Sequence, residues 1–171
     1  MRNLALSTLL VGLVVIAACG EPGDDDGSGG KLPTGRESQG DACGLLDDAA
    51  LDPVFPEGVP DPSGTSMGDG VAECEWAESD GTVVLLSTLP VADFQSDYVD
   101  QLVVKAPVTG VGDHAVSFPG FVGVGQGSAD GGSVGFAKGD RAVLVAVRSS
   151  GEPSADAGLA TDLATEVAAG L

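Results

Sequence analysis

The transition at Cys19 constrains this chain more than any other feature. Residues 4–18, LALSTLLVGLVVIAA, are apolar apart from Ser7, Thr8 and Gly12, and the sequence turns polar and glycine-rich directly after Cys19. From Gly20 to about Gly40 it contains EPGDDDGSGG and KLPTGRESQG, with almost no large apolar residue. Such a stretch cannot bury enough surface to offset the entropy of ordering it. The packed core must therefore come from residues 41–171, about the size of one domain.

The apolar run is shorter than the roughly twenty residues a spanning helix needs. Arg2 before it and small residues at its end give it the layout of a secretory signal. Ile16-Ala17-Ala18-Cys19 also resembles a bacterial lipobox, an aliphatic residue and two small ones before a cysteine. That resemblance implies a diacylglyceryl group on the Cys19 sulfur and cleavage in front of it. An ordinary cleaved signal peptide or an uncleaved anchor, with Cys19 incidental, is the alternative. Each buried methylene contributes about 0.8 kcal/mol, so more than one acyl chain is needed for firm attachment. The expected organisation is a lipoprotein signal peptide over 1–18, a lipidated flexible linker over 19–40 and a domain over 41–171. That domain is expected to face outside the cytoplasm at the cell membrane.

Three cysteines are an odd count. Assigning Cys19 to lipid leaves Cys43 and Cys74 as an even pair in an oxidising compartment, where a structural disulfide is expected. A redox pair more often reads Cys-x-x-Cys, and zinc needs more ligands.

The chain carries 7 basic and 26 acidic residues, a net charge of −19. Removing residues 1–18 takes away Arg2 alone, leaving six basic residues against 26 acidic ones, or −20. This balance excludes nucleic acid and anionic lipid surfaces as partners, since both need basic patches. It favours solubility and loose attraction of cations. The run Asp24-Asp25-Asp26 lacks the alternating acids and distant glutamate of a calcium loop, and reads as solvated linker.

Along the domain, DACGLLDDAAL predicts a helix with Asp41 as N-cap and Leu45, Leu46 and Ala49 on its apolar face. Pro53, Pro56, Pro60 and Pro62 stop it near Leu51, and residues 52–70 read as a long loop. VAECEWA alternates as a half-buried strand, and TVVLLSTL is apolar enough to lie centrally in a sheet. PVADFQSDYVDQLVV predicts a helix opened near Pro90, with Val91, Phe94, Tyr98 and Leu102 on one face. Short strands are expected around HAVSF, FVGVG, SVGFAK and RAVLVAVRS, with Gly139-Asp140 as the turn between the last two. The closing segment places Leu159, Leu163 and Val167 at four-residue steps, an amphipathic helix. The order α-β-β-α-β-β-β-β-α argues for an α+β domain, a single antiparallel sheet with packed helices.

ACGLLD, CEW, VTGVGDHAVSF and the terminal Ala/Leu helix, in this order, resemble actinobacterial lipoproteins of the domain-of-unknown-function family 3558. The resemblance covers residues 41–171. It implies a Cys43–Cys74 bond, a cell-envelope location and an α+β sandwich. It brings no established activity and no catalytic residues.

Several motifs suggest chemistry without its context. Gly64-Thr65-Ser66-Met67-Gly68 matches a nucleophile elbow, but that motif needs a strand before and a helix after it. His114, the only histidine, follows with aspartates between, so a Ser–Asp–His order exists formally. The plainer reading puts His114 at the start of a strand after the GVGD turn. Gly110-Val111-Gly112-Asp113-His114-Ala115 fits a dinucleotide fingerprint, but a strand follows where a helix N-terminus is required. Gly120, Gly123, Gly125, Gly127, Gly131 and Gly132 suggest tight turns, and no basic residue lies among them. Trp76 and Tyr98 read as core packing, with a ligand wall as the alternative. Val54, Phe55 and Val59, with the glycine-rich turns, are the candidate walls of any cleft.

These observations lead to a membrane-anchored, non-enzymatic binding or scaffolding domain that needs no cofactor or metal. Its partner would be an envelope protein or an apolar small molecule. A calcium-dependent module using the acidic surface is the alternative, followed by a small serine hydrolase using Ser66 and His114.

Overall fold

The computed structural model describes residues 42–101, 104–124 and 126–171. The signal segment, Cys19, the linker, the Asp24–Asp26 run and the N-cap expected at Asp41 lie outside the described residues.

Alternation and apolar runs become strands β1 (Ser63–Gly68), β2 (Val71–Ala77), β3 (Val83–Pro90), β4 (Ala106–Val108), β5 (His114–Gly123), β6 (Gln126–Lys138) and β7 (Arg141–Arg148). They form one antiparallel sheet in the order β1-β2-β3-β7-β6-β5-β4. Helices α1 (Asp48–Leu51), α2 (Val91–Asp93) and α3 (Pro153–Gly170) accompany it. The fold is α+β with a single antiparallel sheet, as expected, and Cys43 and Cys74 are bonded.

The middle of the sheet is apolar on both sides. In β7, Ala142 through Val147 are all buried, and β3 is buried from Val83 to Ser87. One side is covered by α3, whose Ala160, Leu163, Ala164 and Val167 pack with Val84, Leu86, Val134, Val143 and Val145. Gly132 allows this close approach: a Cβ there would lie 2.3 Å from the Ala157 backbone nitrogen. The other side is covered near Leu89 and Leu144 by Phe94, Tyr98 and Val99.

The rest of that second side is covered by the β5–β6 hairpin itself. At Gly120 (φ +84°) and Gly131 (φ +111°) the hairpin bends, and the pairing register shifts between Pro119 and Phe121. A Cβ on Gly120 would stand 2.2 Å from the Ser128 carbonyl oxygen, so only glycine fits. Ser133 repairs the interrupted ladder: its hydroxyl donates to the Gly120 carbonyl at 2.9 Å and accepts from the Val122 N–H at 2.8 Å. Beyond the bend, Phe121 packs on Val83, Leu85 and Ala146. The hairpin end reaches β2, where the Val124 N–H donates to Glu73 Oε1 at 3.2 Å.

Four expectations need correction. The loop expected over 52–70 contains β1, because Asp69 (φ +51°) and Gly70 (φ +81°) turn the chain back as a hairpin. HAVSF and FVGVG form the single bulged strand β5, and SVGFAK is only the far half of β6. The helix expected from Asp41 is a 3-10 turn (Ala42–Leu45) followed by α1. Its N-cap is Asp47, whose carboxylate accepts from the Ala50 N–H at 2.9 Å. The helix after Pro90 passes into a π-turn over Phe94–Val99, with the Asp100 N–H reaching the Gln95 carbonyl at 2.9 Å.

Candidate functional site

A cleft of about 180 Å³ opens between the α1 region and α3. Ala49, Ala50, Pro53 and Val54 form one wall. Leu159, Asp162, Leu163 and Glu166 form the other, and no lysine or arginine lines it. The first wall is fixed because Leu51 and Phe55 are fully buried in the core beside it. The Val54 and Phe55 N–H groups both donate to the Leu51 carbonyl, continuing α1 by one turn. The second wall follows from four-residue spacing on α3, which turns Leu159 and Leu163 toward α1 while Asp162 and Glu166 stay exposed. The cleft is thus an apolar slot with carboxylates on one rim.

Of the expected cleft walls, Val54 is one. Phe55 closes into the core, and Val59 packs against that core without lining the slot. The glycine-rich segment builds the bent β5–β6 hairpin instead; Gly125 lies outside the described residues.

The other singled-out residues are dispersed. Ser66 lies exposed in edge strand β1, and the segment after it is a hairpin turn, so no elbow forms. His114 is the exposed first residue of β5, opposite Ala137. Five strand spacings separate β1 from β5, about 24 Å along the sheet. The glycine-rich turn before His114 is pinned to the β6–β7 hairpin. The Asp113 N–H donates to the Ala137 carbonyl at 2.8 Å, and the Asp113 carboxylate accepts from the Gly139 N–H at 2.9 Å. A strand follows it, not a helix N-terminus.

Trp76 is buried in the main core, beside Cys74 in the same cluster. The disulfide closes the 3-10 turn onto β2, with Cα atoms 5.0 Å apart. Gly64, opposite Cys74 on β1, makes room for it: a Cβ there would lie 3.0 Å from Cys43 Sγ. Tyr98 is buried against the second side of the sheet. Burial first, then the Asp97 and Glu73 carboxylates, raise its hydroxyl above the ordinary value of 10.0.

Sequence reasoning missed two buried carboxylates. Glu73 accepts from the Ser87 hydroxyl at 3.0 Å and from Val124 N–H, holding the hairpin end to β2. Asp156, in the first turn of α3, accepts from the Ser149 N–H at 3.2 Å and from the Ser149 hydroxyl. Alternation gave no signal for Glu73, because the covering hairpin comes from fifty residues later. Both carboxylates hold the fold together, Asp156 through both oxygens and Glu73 through Oε1.

Among the described residues no three of His, Cys, Asp and Glu gather as a metal site, and no helix is long and apolar enough to cross a membrane. No family model, curated protein or solved structure matches this chain.

Proposed function

We propose that this chain is a lipoprotein of the cell envelope, anchored through a diacylglyceryl group on Cys19. Residues 19–40 would serve as its linker, and residues 41–171 as a non-enzymatic binding domain outside the cytoplasm. The observation that carries the reading is Ile16-Ala17-Ala18-Cys19 at the end of an apolar run, followed at once by a polar tether. The bonded Cys43–Cys74 pair supports it, since disulfides persist in oxidising compartments, and leaves Cys19 as the odd cysteine. The likeness of residues 41–171 to family 3558 points the same way. Binding is favoured over catalysis because Ser66 and His114 stand five strands apart, while an apolar cleft lies between the α1 region and α3.

The test is the intact mass of the full-length chain extracted from its own membranes. The expected species begins at Cys19, carries an acylated diacylglyceryl group and is two hydrogens short of the reduced mass. An unmodified Cys19 refutes the anchor. A serine-reactive fluorophosphonate that labels the chain at Ser66 refutes the non-enzymatic reading.

A further inference from the structure

We propose that the α1–α3 cleft is the contact surface of this domain, and that it receives one bulky apolar side chain flanked by lysine or arginine on a protein partner. The inference rests on the binding-domain reading above and names its surface and partner chemistry.

Size decides between the two partner classes. Small-molecule sites run about 300–1,000 Å³, and this slot offers about 180 Å³. A dry apolar cavity of about 150 Å³ accommodates a benzene ring, so one aromatic or branched aliphatic side chain fills the space. Protein interfaces concentrate their affinity in such anchors seated in preformed pockets. Preformation is provided here by Val54 and Leu163, both buried, and by α3, which Gly132 seats directly on the sheet.

Charge decides what surrounds the anchor. Asp162 and Glu166 lie four residues apart along the rim, both exposed. Residues 42–171 hold twenty acidic side chains against four basic ones, Lys105, Lys138, Arg141 and Arg148. Lys138 donates to the Ala168 carbonyl, and Arg148 lies over the Phe121 ring at 5.2 Å. The domain has few cations to offer an acidic partner and a strong field for steering a basic one. Lysine or arginine beside the anchor meets the rim carboxylates, whereas acidic flanks meet repulsion.

The probe is the peptide Gly-Lys-Lys-Phe-Lys-Lys-Gly, added to the full-length chain in non-ionic detergent with its Ala, Val and Leu methyl groups 13C-labelled. Saturable shifts are expected at Val54, Leu159 and Leu163. Replacing the peptide's Phe by Ala should weaken binding at least tenfold. Asp162→Asn with Glu166→Gln should weaken it about three- to thirtyfold, and Glu78→Gln with Asp130→Asn should leave it unchanged. Ala49→Phe, filling the slot from an exposed position, should abolish binding with the thermal midpoint retained. Equal binding of the Phe and Ala peptides, or equal loss in the two charge variants, overturns the proposal in favour of general attraction to an acidic surface. A photo-crosslinking residue at Gly158, exposed on α3 one turn before Asp162, or at Asp61, in native membranes, separates the two readings. A partner captured from Asp61 alone overturns the cleft and spares the binding domain; none from either position overturns both.

Discussion

Adding one methyl group at Gly132 should destabilise the domain more than most single substitutions. The Cβ would lie 2.3 Å from the Ala157 nitrogen, 2.4 Å from its Cα and 2.8 Å from its Cβ. Ordinary contact begins near 3.4 Å, so α3 must retreat by about 1 Å or β6 must deform. No flexible side chain is available to yield, because the atoms met are chiefly helix backbone. Overpacking costs about 1–3 kcal/mol, and a backbone clash under a helix that buries Ala160, Leu163, Ala164 and Val167 belongs at the upper end. We expect Gly132→Ala to cost about 3 kcal/mol. At about 4 °C per kcal/mol for ~130 residues, the thermal midpoint should fall by about 12 °C. Gly158, on α3 with nothing within 4 Å of its added Cβ, is the internal comparison. Gly158→Ala should stabilise by about 0.5–1 kcal/mol, because alanine loses less entropy on entering a helix. Urea unfolding, followed by the emission of the single Trp76, measures both. A cost below 1 kcal/mol for Gly132→Ala, or the same sign for both variants, would refute the close-approach argument.

Other outcomes follow from the same geometry. Replacing Cys43 and Cys74 together by alanine should cost about 3–4 kcal/mol on the chain-entropy model for a separation of 31 residues, read from urea midpoints. Glu73→Ala strands the Ser87 hydroxyl and the Val124 N–H; a loss of about 2–3 kcal/mol and faster hydrogen exchange at Val124 are expected. Tyr98 is the only tyrosine, so ultraviolet titration reads it alone, and its hydroxyl should ionise above pH 10. Between the unfolded value and the raised folded one, the unfolded chain ionises while the folded chain stays neutral. Stability from this group is therefore present below pH 10 and falls as pH rises past it. A Tyr98 transition at or below 10 would contradict its burial.

Legibility in the sequence varied with the range of the forces involved. β2, β3 and β7 could be read directly, because alternation and apolar runs record how many faces of a strand are covered. The Gly139-Asp140 turn and α3 were equally plain, since turn chemistry and four-residue spacing are local. β1 was hidden: its Ser, Gly and Thr carry little strand signal, although Asp69-Gly70 after it is a strong hairpin cue. β5 was split in two because Pro119-Gly120 resembles a turn, and whether a bend ends a strand or folds it depends on distant Ser128 and Ser133. The cleft was half legible. Val54 belonged to the proline-rich loop suspected as a wall, but its opposing residues lie more than a hundred positions later. Glu73 illustrates the general limit, since its burial depends on a hairpin that alternation within β2 cannot report.

The position of β7 has a consequence for how the chain comes to be folded. The central pairing joins Val83 to Arg148 and Pro90 to Arg141, so the last strand made is the one that unites the sheet's two halves. Before it arrives, β1–β3 and β4–β6 are separate hairpin sets, each with an open apolar edge, and α3 has no surface to cover. Synthesis that proceeds from the N-terminus therefore delivers a sheet whose two halves stay unjoined until Arg141–Arg148 emerge. Loss of β7 would therefore cost the sheet its central strand, with both neighbours left unpaired, and not merely an edge.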